Sequence, residues 1–305
     1  MTCSVQVPAS SANLGPAFDC AAVALNLYLR ATATRTDRGC EVRYRGANED
    51  RVTLDESNLI VRAIRNFANA AKAELGGLRL EVENQIPIGV GLGSSAAAII
   101  AGTLLGAEIC GVKCEPAVLL RRALLLENHP DNISAALYGG LVVAATVGGG
   151  AEDGADVMVR RTDVSQKLDF VAVTPDRPLS TEKARAVLPA QYSRQDLARN
   201  LQRAALLTAS FFSGGELSPE LFRDRVHQPY RSPLVPGIAA CLEYRHDGLA
   251  GIFLSGAGSS VMAIAKHSAG EIGDALVKKF RSEGVNASAR VLKADNRGAH
   301  VVAAQ

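Results

Sequence analysis

Apolar positions along the chain change period several times, and the changes lay out its elements. Leu78, Leu80 and Val82 alternate with Arg79, Glu81 and Glu83, the pattern of a strand buried on one face. Val5 and Val7 predict a first strand that stops at Pro8, followed by a polar loop over 10–15. Leu25, Leu27 and Leu29 predict a strand within 21–35, and shorter strands are expected at 41–44 and 51–54. Leu59, Ile60, Ala63, Ile64 and Phe67 recur instead at helical spacing, with Asn58 as the cap and Gly76-Gly77 as the stop. Helices are expected after Gly93, over 115–127 and over 132–137, before a strand over 141–147.

The run GGGAEDGAD at 148–156 reads as flexible, and the domain change is expected there, giving units 1–160 and 161–305. Beyond it the pattern predicts strands at 168–174, 251–254, 261–265 and 289–294. Helices are expected from the Ser180 cap to 188 and over 195–212, 219–228, 238–244 and 269–284. Strands backed by helices make an α+β chain.

Composition narrows the function classes. The chain has 305 residues, 48% apolar and 21% charged, which excludes a mainly disordered state. Lys and Arg number 33 against 31 Asp and Glu, a net charge of +2 without a basic run. No nucleic-acid partner is expected from that balance, and a chain with no Trp offers little for base stacking. The most apolar stretch, 86–106, contains Ser94, Ser95 and several glycines, with Glu83 and Glu108 flanking it. It reads as a loop entering a buried helix, so no membrane partner is expected. The N-terminal residues lack the basic and apolar regions of a secretory signal, and the six cysteines form no CxxC pair. A cytoplasmic protein with reduced thiols is expected.

Three polar segments can carry chemistry. Gly89-Val90-Gly91-Leu92-Gly93-Ser94-Ser95 leads into a helix, whose free N–H groups and positive dipole end suit a phosphate. It is neither a Walker A loop, lacking Gly-Lys-Ser/Thr, nor a full dinucleotide fingerprint. A glycine-rich turn capping an ordinary core helix is the plainer alternative. Glu127-Asn128-His129-Pro130-Asp131-Asn132 packs two carboxylates, an imidazole and an amide between two helices, as a Mg²⁺ and hydroxyl site or as a helix cap. Leu254-Ser255-Gly256-Ala257-Gly258-Ser259-Ser260 permits close approach to a ligand or to another backbone.

Taken in order, PASSANLGPAFD (8–19), PIGVGLGSSAAA (87–98) and LSGAGSS (254–260) resemble the three motifs of the GHMP kinase superfamily. ENHPDN (127–132), LSTEKAR (179–185) and HQPYR followed by LVPG (227–237) resemble its homoserine kinase family, so the resemblance covers nearly the whole chain. It implies a GHMP kinase fold, with a left-handed βαβ unit in the N-terminal domain and a ferredoxin-like C-terminal domain. It implies Mg-ATP-dependent phosphorylation of the L-homoserine side-chain hydroxyl, for threonine biosynthesis, by a homodimer. ATP would lie along Pro87, Gly89, Gly91, Leu92, Gly93, Ser94, Ser95 and Ala96, with its adenine near Asn58 and Leu59. Ser95 and Glu127 would hold Mg²⁺.

The substrate carboxylate would meet Arg185 and Arg231, and its ammonium Asp19 with Asn13; His129, Thr181 and Gly256 would complete the subsite. Asn132 would position the hydroxyl, with Asp131 as candidate base. Base-free transfer is the alternative, because relatives pair that aspartate with an early lysine and residues 1–30 contain none. Ala17 and Asn128 stand where the family usually has glycine, and Ser259 where it has proline. A kinase for another small alcohol such as mevalonate, or a catalytically silent binding protein on the same fold, would fit the motifs less well.

Overall fold

The computed structural model describes residues 1–150 and 154–303. Its first sheet contains β1 (Thr2–Ala12), β2 (Ala21–Thr36), β3 (Cys40–Gly46), β4 (Gly77–Asn84), β5 (Leu141–Gly150) and β6 (Gly154–Thr162). The helices of this half are α1 (Leu59–Ala70), α2 (Ser94–Ile109), α3 (Pro116–Ala123) and α4 (Pro130–Tyr138). The second half holds β7 (Asp169–Pro175), α5 (Thr181–Ala186), α6 (Arg194–Ser213), α7 (Gln228–Arg231), α8 (Ile238–Leu242), β8 (Leu249–Leu254), β9 (Val261–Ala265), α9 (Ala269–Ser282), β10 (Ala287–Leu292) and β11 (His300–Val302).

β2 is the spine of the first sheet. It pairs with β1 on one side and, on the other, first with β5 and then with β4. β3 and β4 are parallel and joined through α1, a βαβ unit within an otherwise antiparallel sheet. The second sheet has the order β10-β7-β9-β8, antiparallel throughout. Numbered by appearance that is 4-1-3-2 in a β-α-β-β-α-β chain, the ferredoxin-like arrangement.

α2 is apolar nearly all round because it is covered nearly all round, with Ser95 and Glu108 exposed: α1 packs on one flank, and β1, β2 and α4 on others. Gly102 and Gly106 permit the α1 contact. A Cβ at Gly102 would lie 2.5 Å from both Ala63 Cβ and the Ile60 carbonyl, and one at Gly106 would lie 2.7 Å from Phe67 Cβ. No helix among the described residues is long and apolar enough to cross a membrane.

Several expected elements are corrected. The first strand passes Pro8 and runs to Ala12, because a bulge between Pro8 and Ala9 absorbs the missing proline donor. Residues 51–54 form no strand; Asn48 is left-handed and a 3₁₀ turn at Glu49–Arg51 follows, held by the Glu49 carboxylate accepting from the Gly46 N–H. The supposed linker at 148–156 is mostly a hairpin between β5 and β6; residues 151–153 lie outside the described residues. The helix expected over 115–127 ends at Ala123, and that over 219–228 splits into a 3₁₀ turn at Pro219–Phe222 and α7. β10 is not the last strand: β11 returns to the first sheet and pairs with β1, through registers such as Val5 with Val301.

Candidate active site

The three motif loops meet at one cavity of about 480 Å³. α2 supplies its floor. Gly93 caps the helix in a left-handed conformation, so the N–H groups of the first turn open toward the cavity beside Ser94, Ser95 and Ala96. Two glycines make this possible. A Cβ on Gly91 would lie 2.1 Å from the Ser255 carbonyl, and one on Gly93 would lie 2.0 Å from Ser10 Oγ. The loop is thus clasped between β1 and the Ser255–Ser260 loop. Ser255 Oγ donates to the Gly91 carbonyl at 2.6 Å and lies 2.7 Å from Ser11 Oγ.

One end of the cavity is lined by Tyr44, Val52, Thr53, Asn58, Leu59 and Ile88. Asn58 has a structural duty there: its Oδ1 accepts from the Ile60 N–H at 3.0 Å and its Nδ2 donates to the Thr53 carbonyl at 2.8 Å. Of the ATP residues read from the sequence, Pro87 alone does not line the cavity; Ile88 does.

The other end is charged. After β1, Asn13, Leu14 and Asp19 have positive φ, and the tight turn throws Asp19 into the cavity. Asn13 fixes that turn: Oδ1 accepts from the Asp19 N–H at 3.0 Å, and Nδ2 donates to the Gly256 carbonyl at 2.8 Å. Ala17 and Asn128 are not among the positive-φ residues, so neither replacement of glycine strains the backbone. Both Asp19 oxygens accept from Arg185 Nη2, at 2.7 and 2.9 Å, while the buried Arg185 Nε has no partner among the described residues. Ser180 caps α5, which carries Thr181 and Arg185 to the cavity.

Arg231 is almost fully buried yet lines the same cavity. Its Nε donates to the Ala184 carbonyl at 2.9 Å. Burial, and then the neighbouring Arg185 charge, pull its pKa down to about 10, so it stays cationic. Three residues that sequence reasoning missed set its position. His227 Nε2 lies 2.8 Å from the Gly15 carbonyl, which can only accept, so Nε2 carries the proton and Nδ1 faces Arg231 Nη1 at 3.4 Å. Burial holds the His227 pKa below its ordinary value, which keeps this neutral tautomer. Asp224 accepts from the His227 and Gln228 N–H groups at 2.7 and 2.6 Å. Phe18 stacks on His227, and the Arg185 and Arg231 guanidiniums lie 5.4 and 5.0 Å from its ring centre. The four-residue spacing of His227 and Arg231 was the available signal.

ENHPDN stands between the two ends. His129 Nδ1 lies 2.6 Å from Glu127 Oε1. This hydrogen bond pulls the Glu127 pKa down and pushes the His129 pKa up. Asp131 is buried, and loss of hydration pushes its pKa up to about 6 despite a 2.6 Å hydrogen bond from the Asn132 N–H. Asn132 Oδ1 accepts from Ser10 Oγ at 2.8 Å, leaving Nδ2 to face the cavity as a donor. Glu127 and Ser95 also line the cavity. Their carboxylate and hydroxyl oxygens are hard donors suited to Mg²⁺, and Ser95 Oγ makes no side-chain hydrogen bond among the described residues.

Comparison with known proteins gives a consistent result. Residues 58–140 match the model of the GHMP kinases N terminal domain, and residues 199–282 match that of the GHMP kinases C terminal domain. The chain is 38% identical over 301 residues to the homoserine kinase of Desulfitobacterium hafniense, covering 98% of this chain and 99% of that one. It is 41% identical over 261 residues to the homoserine kinase of Deinococcus radiodurans, covering 85% and 83%. A crystal structure of homoserine kinase from Cytophaga hutchinsonii superposes with a TM-score of 0.84 at 26% identity, covering 99% and 97%.

Proposed function

The chain belongs to the GHMP kinases, in their homoserine kinase family, and from that membership we propose that it transfers the γ-phosphoryl group of ATP to the side-chain hydroxyl of L-homoserine. The same reading makes it a cytoplasmic homodimeric enzyme with an ATP-binding first unit and a second unit; the boundary expected after residue 160 falls inside β6, and β11 belongs to the first sheet.

The observation that carries the substrate assignment is the Asp19–Arg185 pair beside Arg231. An amino acid is a zwitterion. Its ammonium takes over Asp19, and its carboxylate takes over Arg185, including the unpartnered Nε, together with Arg231. Every charge keeps a partner through the exchange. A simple hydroxy acid would take the arginines and leave Asp19 unpaired, at a cost of about 1–3 kcal/mol.

The phosphates of ATP lie against the α2 N-terminus between Gly89 and Ala96. Mg²⁺ held by Glu127 and Ser95 would offset charge on those phosphates. His129 keeps Glu127 ionised for that purpose. Asn132 Nδ2 donates to the homoserine hydroxyl oxygen and holds it facing phosphorus. Ser10 in turn fixes the Asn132 amide. As the new O–P bond forms and ADP departs, the hydroxyl proton passes to Asp131, whose raised pKa makes it a competent acceptor. Asp131 has no cationic ion-pair partner among the described residues, unlike a carboxylate paired with lysine.

The test is an ATP and Mg²⁺ assay comparing L-homoserine, D-homoserine, L-serine, L-threonine and mevalonate, with product position read by phosphorus NMR. Selective phosphorylation of the L-homoserine side-chain oxygen is expected. Turnover of mevalonate alone would overturn the substrate, and ATP binding without any turnover would overturn the reaction.

A further inference from the structure

A second cavity, of about 300 Å³, shares the 222–231 segment with the site described above. Phe222, Leu242 and Ile252 give it an apolar wall, and Arg223, Arg225 and Arg245 bring three guanidiniums. Two carboxylates, Asp224 and Glu243, stand among them, and neither neutralises the set. Asp224 is already committed. Its side chain is fully buried, Oδ1 accepts from the Val226 N–H at 2.9 Å, and Oδ2 accepts from the His227 and Gln228 N–H groups. Glu243 lies 3.4 Å from Arg245, and Glu220 lies 3.0 Å from Arg223, in exposed pairs that bind weakly. The Arg225 guanidinium has no ion-pair or hydrogen-bond partner among the described residues; only its backbone N–H is held, by Asn200. An uncommitted guanidinium beside an apolar wall is the recognition chemistry of a small organic carboxylate.

The wall of this cavity also supports the active site. Asp224 holds the His227 N–H, and His227 Nδ1 faces Arg231 Nη1 at 3.4 Å. The Phe222 carbonyl presses on Gly15, where a Cβ would come within 2.0 Å of it, and Gly15 lies in the turn that leads to Asp19. Gln228 Oε1 accepts from the Leu254 N–H at 2.6 Å, next to Ser255, which holds the Gly91 carbonyl. A ligand here acts on homoserine only by favouring one arrangement of these residues over others. The cavity is open with Arg231 already in place, so an occupant favours that arrangement. We propose that this cavity binds a small organic carboxylate on Arg225 and, through Asp224 and His227, holds Arg231 in its substrate-binding position, so that the carboxylate and homoserine strengthen each other's binding. The site is separate from the phosphorylation reading, and only its coupling partner, homoserine, comes from it.

Fluorine NMR of 4-fluorobenzoate with the full chain tests it. The wild type is expected to bind this probe. Arg225→Gln, which removes the charge, and Ala239→Trp, which fills the cavity from α8, should each weaken it about tenfold or more, with unchanged circular dichroism and unchanged phosphorylation rate in its absence. Homoserine should tighten the probe about fivefold or more, and by linkage the probe should tighten homoserine by the same factor, which lowers the homoserine KM at unchanged kcat. His227→Gln should keep the probe site and lose the coupling. Absence of binding, binding indifferent to both cavity variants, displacement of the probe by homoserine, or coupling that survives His227→Gln would overturn the proposal. Calorimetric titration of homoserine with and without the probe reads the coupling without turnover, so failure of the phosphorylation reading shows separately.

Discussion

Replacing Gly93 by alanine would disturb the phosphate loop and the catalytic amide together. Gly93 sits at φ +72°, and its Cβ would lie 2.0 Å from Ser10 Oγ and 3.1 Å from the Ser10 nitrogen. The left-handed backbone costs alanine about 1 kcal/mol. The clash forces the Ser10 hydroxyl off Asn132 Oδ1 and leaves it buried without a partner, roughly another 1–3 kcal/mol. The total of about 2–4 kcal/mol corresponds to a fall in Tm of about 3–6 °C for a chain of this size. Ser10→Ala alone loses the same hydrogen bond, at about 1 kcal/mol. Combined with Gly93→Ala it also removes the clashing atom. The double variant should therefore be about 1–2 kcal/mol more stable than the sum of the single changes predicts. Its kcat should stay low, because Asn132 remains unanchored. Thermal unfolding and steady-state kinetics on the four proteins give the answer. Additivity within about 0.5 kcal/mol would refute the clash as the cause.

Further outcomes follow from the same site. Asp131 must be unprotonated to accept the hydroxyl proton, so kcat/KM should be full above about pH 6 and fall roughly tenfold per pH unit below it. Asp131→Asn should abolish that limb and lower kcat by about 10²–10⁴; a loss under tenfold would mean base-free transfer. Asp19→Asn should cut the preference for L-homoserine over 4-hydroxybutyrate, which lacks the ammonium, by about tenfold or more, read from competing kcat/KM values. Glu127→Gln should raise the Mg²⁺ concentration for half-maximal rate by about tenfold or more in a titration from chelated enzyme, and an unchanged requirement would remove Glu127 from the metal.

Elements defined by their own residues were legible in the sequence, and those defined by distant partners were not. β4 announces itself through strict alternation, and α1 through a one-sided stripe, although the helix stops at Ala70, six residues before the Gly76-Gly77 pair expected to end it. β6 and β11 carry no comparable signal. The first follows a glycine-rich run that composition reads as linker, and the second is three residues long and exists because β1 offers it an edge. Pro8 looked like a stop because proline cannot donate, and the bulge that accommodates it is visible only once β2 is in place. At the site, Asp19, Arg185 and Arg231 were reachable through the family resemblance, since they fall within its motifs. Ser10, Phe18, His227 and Asp224 act by holding other side chains, which depends on tertiary distances that spacing alone does not carry.

The clasp joining Ser11, Ser255 and the Gly91 carbonyl ties together three segments far apart in the chain. Gly256 adds a third tie, donating its N–H to the Ala12 carbonyl at 3.1 Å. A nucleotide seated on the glycine loop therefore binds an arrangement that exists only when both sheets are formed and docked. ATP affinity thus becomes a gauge of whole-chain assembly: a fragment ending before β7 would retain the glycine motif yet lose the grip that shapes it. Conversely, nucleotide binding would raise the unfolding temperature of both halves together, including strands that never touch it.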